Sequence, residues 1–260
     1  MPKISAVIIT LNEEKNIQRA LDALRWCDEI VVVDSFSTDR TAELCKSAGC
    51  RVLQQPFNGF GNQKQFAVEQ ARNDWVLSWD ADEVPTEGLL GELQELSGSP
   101  DPPHAGYTIP RTLVFLGKTM RHGPEHRRPI LRLFDRRRGR FSKSIVHEEI
   151  ELGGSVGAFR HEMLHYSYDS IHDYFVKFNR YTTLAADQLH ERGKTASRLQ
   201  IVVRPLLEFF VLYVLRGFWL NGYPGFVWSL LSAMYPSVKY MKLRELSRVG
   251  SPQHASRVNT

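Results

Sequence analysis

Cysteine is scarce in this chain: Cys27, Cys45 and Cys50 are the only three among 260 residues. An odd count with no Cys-x-x-Cys pair excludes a disulfide framework and a thioredoxin-type motif, and it fits a reducing compartment. The glycine signatures of phosphate loops are missing too. No Gly-x-Gly-x-x-Gly follows the first β-branched run and no Gly-Lys-Ser/Thr loop occurs, which argues against a dinucleotide-binding dehydrogenase or a P-loop kinase. No uninterrupted apolar run reaches the ~20 residues needed to span a bilayer. A strong charge of one sign is also lacking: 33 Lys and Arg against 29 Asp and Glu give +4, too little to make the whole chain a nucleic-acid binder. The opening Met1-Pro2-Lys3-Ile4-Ser5 lacks the apolar core and cleavage site of a signal peptide and reads as a strand beginning almost at once.

What is present is a repeated unit. Short β-branched runs at Ala6-Val7-Ile8-Ile9, Ile30-Val31-Val32-Val33, Arg51-Val52-Leu53 and Trp75-Val76-Leu77 alternate with helix-like stretches at roughly 13–24, 39–48 and 62–72. Asn12 is the expected N-cap of the first helix, Ser37 or Thr38 of the second, and Gly49 fits the second helix's stop. Such alternation implies βαβ crossovers and a parallel sheet covered on both faces, with ligands bound beyond the carboxyl ends of the strands. Those ends carry Thr10-Leu11-Asn12-Glu13, Asp34-Ser35 and Asp80-Ala81-Asp82. Shorter strands are expected over 105–165 and a helix over 171–192.

Trp79-Asp80-Ala81-Asp82-Glu83 runs an apolar strand into three carboxylates within four residues, and unpaired buried carboxylates are costly. In an extended segment Asp80 and Asp82 project to one side. Two convergent oxygens there suit a hard cation, Mg²⁺ or Mn²⁺, whose shell is completed by water and phosphate. A solvated strand exit is the plain alternative.

Ile8-Ile9-Thr10-Leu11-Asn12-Glu13-Glu14, Asp28-Glu29-Ile30-Val31-Val32-Val33-Asp34-Ser35, Ser37-Thr38-Asp39-Arg40-Thr41 and Asp80-Ala81-Asp82-Glu83 together resemble the family 2 glycosyltransferases. Val146-His147-Glu148-Glu149, His165-Tyr166 and the aromatic C-terminal segment are similar to the bacterial lipopolysaccharide-core glucosyltransferase branch, over about residues 4–245. The resemblance implies an α/β GT-A fold, a Rossmann-like, mostly parallel sheet with helices on both faces. It also implies a nucleotide-sugar donor, a divalent metal (Mg or Mn) and inversion at the anomeric centre. Carried over by position, Thr10, Asn12 and Glu13 line the nucleotide pocket, Asp34 faces the base, and Lys64 lies near the nucleotide. Asp80 and Asp82 match the metal motif, with Asp82 the direct ligand. One departure is Asn221-Gly222-Tyr223-Pro224-Gly225, where relatives tend to carry Asp before the first Gly.

Arg127, Arg128 and Arg132 are candidates to stabilise charge on the leaving diphosphate. Glu148 is the expected general base and Glu149 its rival, since neighbours on a strand face opposite ways. His161-Glu162-Met163-Leu164-His165 matches the zinc-protease pattern, but that pattern needs a helix and no helical period supports one here. His165 instead could complete the metal shell opposite Asp82, or serve structurally.

From about residue 199 the chain is apolar and aromatic. Leu206 to Leu220 is apolar except for Glu208, Arg216 and Gly217, and Arg204, Glu208 and Arg216 make one polar stripe on an expected helix whose first turn holds Pro205. A second apolar run covers 226–235. Trp219, Tyr223, Trp228 and Tyr235, followed by Lys239, Lys242, Arg244 and Arg248, resemble an interfacial belt. The expected organisation is a catalytic domain over 1–196 (a nucleotide half over 1–96, an acceptor half over 97–196) and a helical, amphipathic, membrane-associated segment over 197–260. A helical hairpin packed on protein is the alternative. The function expected is transfer of a hexose, glucose, from a UDP-linked donor to a lipopolysaccharide-core or other lipid-linked saccharide hydroxyl. The enzyme would be peripheral on the cytoplasmic face of the bacterial inner membrane and bind no nucleic acid. Transfer to polyprenyl phosphate, or a non-enzymatic sugar-nucleotide-binding scaffold, are the competing readings.

Overall fold

The computed structural model describes residues 2–142, 149–168 and 170–249. Strands β1 (Ile4–Thr10), β2 (Glu29–Asp34), β3 (Arg51–Gln54) and β4 (Trp75–Asp80) alternate with helices α1 (Ile17–Leu24), α2 (Thr41–Ser47) and α3 (Phe60–Gln70). The strands pair in parallel in the order β3-β2-β1-β4. A parallel strand covered on both faces must be apolar on both, and β1 is buried throughout except at Ile9. Its alternation divides the interior. Ile4, Ala6 and Ile8 join Leu21 and Leu24 of α1, whereas Val7 joins Val31, Val33 and Ala67 and Val68 of α3. Helix α1 reaches its core through Ile17, Ala20, Leu21 and Leu24, at i, i+3, i+4 and i+7. Each such Leu or Ile contributes about 1.5–3 kcal/mol by leaving water.

Past β4 the pairing changes direction. The chain continues through β5 (Glu83–Pro85), α4 (Glu87–Gly98), β6 (Gly106–Phe115), β7 (Lys118–Thr119), β8 (Arg128–Asp135), β9 (Gly139–Phe141), β10 (Ile150–Leu152), β11 (Val156–Ala158) and β12 (Met163–Tyr168). Strand β8 lies antiparallel to both β4 and β6, which extends the sheet to β3-β2-β1-β4-β8-β6-β12-β5, while β9 and β10 pair separately. Tyr107 partners Leu133 but Thr108 partners Leu131, so Arg132 is the extra residue of a β-bulge. The result is a mixed α/β fold with the expected parallel half, consistent with a GT-A architecture.

The chain forms two compact units, one built from the N-terminus to Leu113 with His126–Tyr166, the other from Val114–Glu125 with the described residues from Ser167 onward. Helices make up most of the second: α5 (Ile171–Glu191), α6 (Arg198–Phe210), a π-turn (Val211–Leu215), a 3₁₀ turn (Phe218–Asn221) and α7 (Tyr223–Val249), which packs on both α5 and α6. Ser197 and Gln200 form a capping box that starts α6 earlier than its apolar run suggests. Pro205 therefore sits inside the helix rather than in its first turn. The expected polar stripe is also interrupted: Arg204 pairs with Glu208 at 3.4 Å, but Arg216 lies beyond the π-turn, whose wider turn shifts the phase. Asn221 is buried and ties its loop down with both ends of its amide. Its Nδ2 donates to the His122 carbonyl (2.9 Å) and its Oδ1 accepts from the His122 N–H (3.2 Å). Gly225 is obligatory there, because a Cβ would run into the Phe218 carbonyl. Among the described residues no helix is long and apolar enough to cross a membrane.

Candidate active site

The site begins where β1 and β2 end side by side, Thr10 in register with Asp34. Asn12 is not a helix cap. It takes φ 56°, and its Oδ1 accepts the Thr38 N–H (2.8 Å) from the neighbouring loop, while its own N–H donates to Ser37 Oγ (2.9 Å). Helix α1 starts only after Asn16, which makes no side-chain cap. The lacing continues with Glu13 N–H to Thr41 Oγ1 (2.8 Å), Glu14 N–H to Asp39 Oδ2 (3.2 Å) and Arg40 N–H to a Glu14 oxygen (3.0 Å). Neither Ser37 nor Thr38 caps α2: Asp39 accepts the Thr41 N–H at 3.0 Å instead. These hydrogen bonds to backbone N–H groups and Thr41 hold the Asp39 carboxyl below its ordinary pKa against a raising effect of burial. Gly49 does end α2, at φ 81°. The polar motif residues thus cross-link two loops into one rigid lip.

Asp34 is wholly buried, with both carboxylate oxygens on Ser37, one on its N–H (3.0 Å) and one on its hydroxyl. It shapes the Ser35–Ser37 turn and does not present a free carboxylate. Gln63 of α3 supports the same turn by donating to Ser35 Oγ (3.1 Å) and the Gln55 carbonyl (3.0 Å). Thr10 Oγ1 is buried without a hydrogen-bond partner.

At the end of β4 the two aspartates part company. Ala81 and Asp82 lie in a turn, not in an extended strand, so the expected projection of Asp80 and Asp82 to one side does not occur. Asp80 turns inward: Oδ1 meets Lys64 Nζ at 3.0 Å and Oδ2 meets Arg132 Nη2 at 2.6 Å. Burial alone would raise the Asp80 carboxyl, but Arg132 and Lys64 outweigh it and hold it well below the usual carboxylate range. Arg132, 4% exposed, also grips the fully buried Glu83, which Arg111 approaches at 3.6 Å. Burial would lower the Arg132 pKa, yet Asp80 and Glu83 raise it. Glu83 further accepts the Asp80 N–H at 3.3 Å, and Trp79 Nε1 donates to the Glu83 carbonyl at 2.9 Å. Asp82 points the other way, its Oδ2 3.3 Å from His165 Nε2 on β12, and its carbonyl accepts the Tyr166 N–H.

Of the residues expected from the sequence, the structure brings Asp80, Lys64 and Arg132 together and sets Asp82 beside His165, and it adds Glu83 and Arg111, which the sequence did not single out. Glu83 was legible in principle, because a third carboxylate beside a buried strand needs a cation. Arg128 is exposed at the start of β8, paired in register with Arg111. Arg127 is exposed at φ 52°, donating to the Arg160 carbonyl (2.6 Å). Neither joins the Asp80 cluster. Glu149 is exposed and its N–H donates to Ser142 Oγ (3.1 Å), while Glu148 lies outside the described residues. Residues 163–168 are strand, which removes the helix a zinc protease needs, and His161 pairs with Glu92 at 3.4 Å. The cysteines take no part. Burial pushes the thiols of Cys45 and Cys50 up to about 12 and about 11, so thiolate is absent at neutral pH.

Among the described residues no group of three or more His, Cys, Asp or Glu side chains is placed to hold a metal. Asp82 lies beside His165, and a hard cation that keeps water and phosphate ligands needs no more than one or two protein ligands.

The family model described as Glycosyl transferase family 2 matches residues 5–161. A lipopolysaccharide core biosynthesis glycosyltransferase, LpsC of Rhizobium meliloti (strain 1021), is 37% identical over 254 residues, covering 94% of this chain and 93% of that one. An uncharacterized glycosyltransferase of Rickettsia bellii (strain RML369-C) is 30% identical over 261 residues, 96% of this chain and 89% of the other. Among solved structures, glucosyl-3-phosphoglycerate synthase from Mycobacterium tuberculosis, crystallised with Mn²⁺, UDP and glucosyl-3-phosphoglycerate, is similar over 44% of each chain, at 24% identity and a TM-score of 0.36.

Proposed function

Because the chain belongs to glycosyl transferase family 2, we propose that it moves a hexose, glucose, from a uridine-diphosphate-linked donor to a hydroxyl of lipopolysaccharide core or another lipid-linked saccharide. The relative LpsC, named for lipopolysaccharide core biosynthesis and matched over nearly its whole length, supports the acceptor class. The observation that carries the donor reading is the divided Asp80-Ala81-Asp82 turn. One carboxylate is fixed between Lys64 and Arg132, and the other faces His165.

In that reading Asp82 and His165 hold a divalent cation, Mg²⁺ or Mn²⁺, which when bound acts as a Lewis acid on the leaving diphosphate. Lys64 and Arg132, both buried against Asp80, anchor the end of β4 from which the Asp82 turn departs. The acceptor oxygen forms its bond to the anomeric carbon from the face opposite the leaving group. The bond from that carbon to the phosphate oxygen breaks, and the nucleoside diphosphate departs with the electron pair. The acceptor proton passes to a carboxylate, Glu148 by our assignment with Glu149 as the rival. The loops carrying Thr10, Asn12, Glu13 and Asp34 form the nucleoside end, and Arg128 stands ready for an anionic group at the rim.

A thermal-shift screen of UDP-, GDP- and dTDP-sugars with and without Mn²⁺ tests the donor site. Stabilisation by a UDP-sugar that needs Mn²⁺ and vanishes in Asp82→Asn is expected; no metal-dependent stabilisation by any of them would overturn it. Glu148→Gln and Glu149→Gln test the acceptor chemistry. Loss of turnover in one of them is expected, while unimpaired turnover in both would point to an acceptor that needs no base, such as polyprenyl phosphate.

The second unit supports a membrane-surface location. Leu199, Val202, Val203, Leu206, Leu207 and Phe210 form an exposed apolar stripe along α6, and Leu215, Trp219 and Tyr223 continue exposed beyond it. Arg198, Arg204 and Arg216 are exposed among them. Apolar area interleaved with cations fits an anionic lipid surface. We assign that surface to the cytoplasmic face of the inner membrane, where a lipid-anchored acceptor and a nucleotide sugar meet.

A further inference from the structure

The nucleoside lip holds one feature that the polar motif does not account for. Phe36 follows Asp34-Ser35 at the carboxyl end of β2 and takes φ 62°, in the left-handed region that a bulky side chain rarely adopts. Glycine would sit there without strain. The ring is not buried to compensate, for Phe36 is 51% exposed. Strain of this sort persists only where surrounding contacts over-determine it, and it gathers at ligand sites. The contacts are those already described: Ser37, the next residue, is held by Asp34 and by the Asn12 N–H, and Thr38 by the Asn12 amide. Asn12 itself is the other non-glycine residue of this lip with positive φ. Asn12 is a residue type that accepts this conformation, so the strain sits at Phe36 alone, and the outcome is an aromatic ring displayed to solvent. Leu11, one residue past Thr10 on the adjacent strand, is 37% exposed and adds a second apolar surface at the same strand ends. The remaining residues that lace these two loops are polar: Asn12, Ser35, Ser37, Thr38 and Asp39.

An exposed aromatic whose backbone is fixed at the strand ends is suited to a flat heterocycle, which stacks on the ring face. Resting on the nucleotide-sugar reading above, we propose that Phe36 is the stacking platform for the donor's nucleobase and contributes to donor affinity rather than to the bond-making step.

The test is titration of the whole protein with UDP in the presence of Mn²⁺, and with Mn²⁺-pyrophosphate, which carries no base. Wild type is compared with Phe36→Gly, which removes the ring and also relieves the backbone, and with Phe36→Tyr, which keeps a ring. Stacking predicts that Phe36→Gly weakens UDP on the order of tenfold or more and leaves pyrophosphate unchanged, while its thermal midpoint holds or rises. Phe36→Tyr should retain UDP affinity. Equal UDP affinity in Phe36→Gly, or an equal loss for pyrophosphate, would overturn the assignment. If wild type binds pyrophosphate and Mn²⁺ but gains nothing from UDP, GDP or dTDP, the nucleotide-donor reading itself falls, and the proposal with it.

Discussion

Arg132 faces two carboxylates with one guanidinium, and only one of them, Asp80, has any exposure. Removing one partner of a buried ionic group leaves the others uncompensated, which typically costs about 3–5 kcal/mol. Arg132→Met should therefore destabilise the fold by about that amount in urea unfolding, far more than Arg128→Met on the exposed start of the same strand. The acid limb carries a second signature. The Asp80 carboxyl is depressed in the folded protein, so its contribution is complete above the ordinary aspartate pKa of about 3.9. It fades as pH falls from there through the lower folded value. Wild type should accordingly exceed Asp80→Asn in stability by a constant margin down to about pH 4, and the margin should shrink in more acidic solution. A margin that grew on acidification would contradict the ion pairs. That the carboxylates need cations was legible beforehand; which cations they would meet was not. Lys64 and Arg132 lie 16 and 52 positions from Asp80 in the chain, and nothing local distinguishes Arg132 from Arg127 or Arg128. What separates them is burial, which the bulge at Arg132 settles. The choice of Asn12 as a cap failed for a different reason. Asparagine is favoured both at N-caps and at positive φ, and only the neighbouring loop decides between them.

At the scale of elements, the β-branched runs announced the parallel half, because central parallel strands must be apolar on both faces and therefore stand out. Helix α5 was likewise visible from its spacing. The C-terminal elements were less so: the capping box at Ser197 and the π-turn at Val211–Leu215 moved boundaries that apolar runs alone could not fix. The loop between that turn and α7 depends on Asn221, whose amide both donates to and accepts from the His122 backbone. A carboxylate can do only the second. Asn221→Asp should thus strand the His122 carbonyl and cost about 1–3 kcal/mol, read as a lowered thermal midpoint, even though the two side chains are nearly the same size. The chain's own backbone thus calls for asparagine at 221, without appeal to a ligand.

The whole molecule exposes contiguous apolar side chains along α6 and its continuation, and such patches mark interaction surfaces. Sedimentation with vesicles should recover the wild-type protein with phosphatidylglycerol-rich bilayers and far less with phosphatidylcholine alone. High salt should weaken the association, since the exposed arginines act through a screened field. Leu206→Asp with Phe210→Asp should leave the protein in the supernatant while its thermal midpoint stays within a few degrees, because both side chains are already exposed. Equal recovery with neutral and anionic vesicles would remove the role given to Arg198, Arg204 and Arg216. The two compact units carry a further consequence, for modularity. One of them is assembled from an inner excursion, Val114–Glu125, and a distant C-terminal stretch. A chain ended after Tyr166 would keep that excursion but lose Asn221, which holds His122, and Trp228, whose ring lies 5.2 Å from that of Phe115. No single cut yields both parts whole, so separating the units takes at least two breaks and a rejoining of the chain.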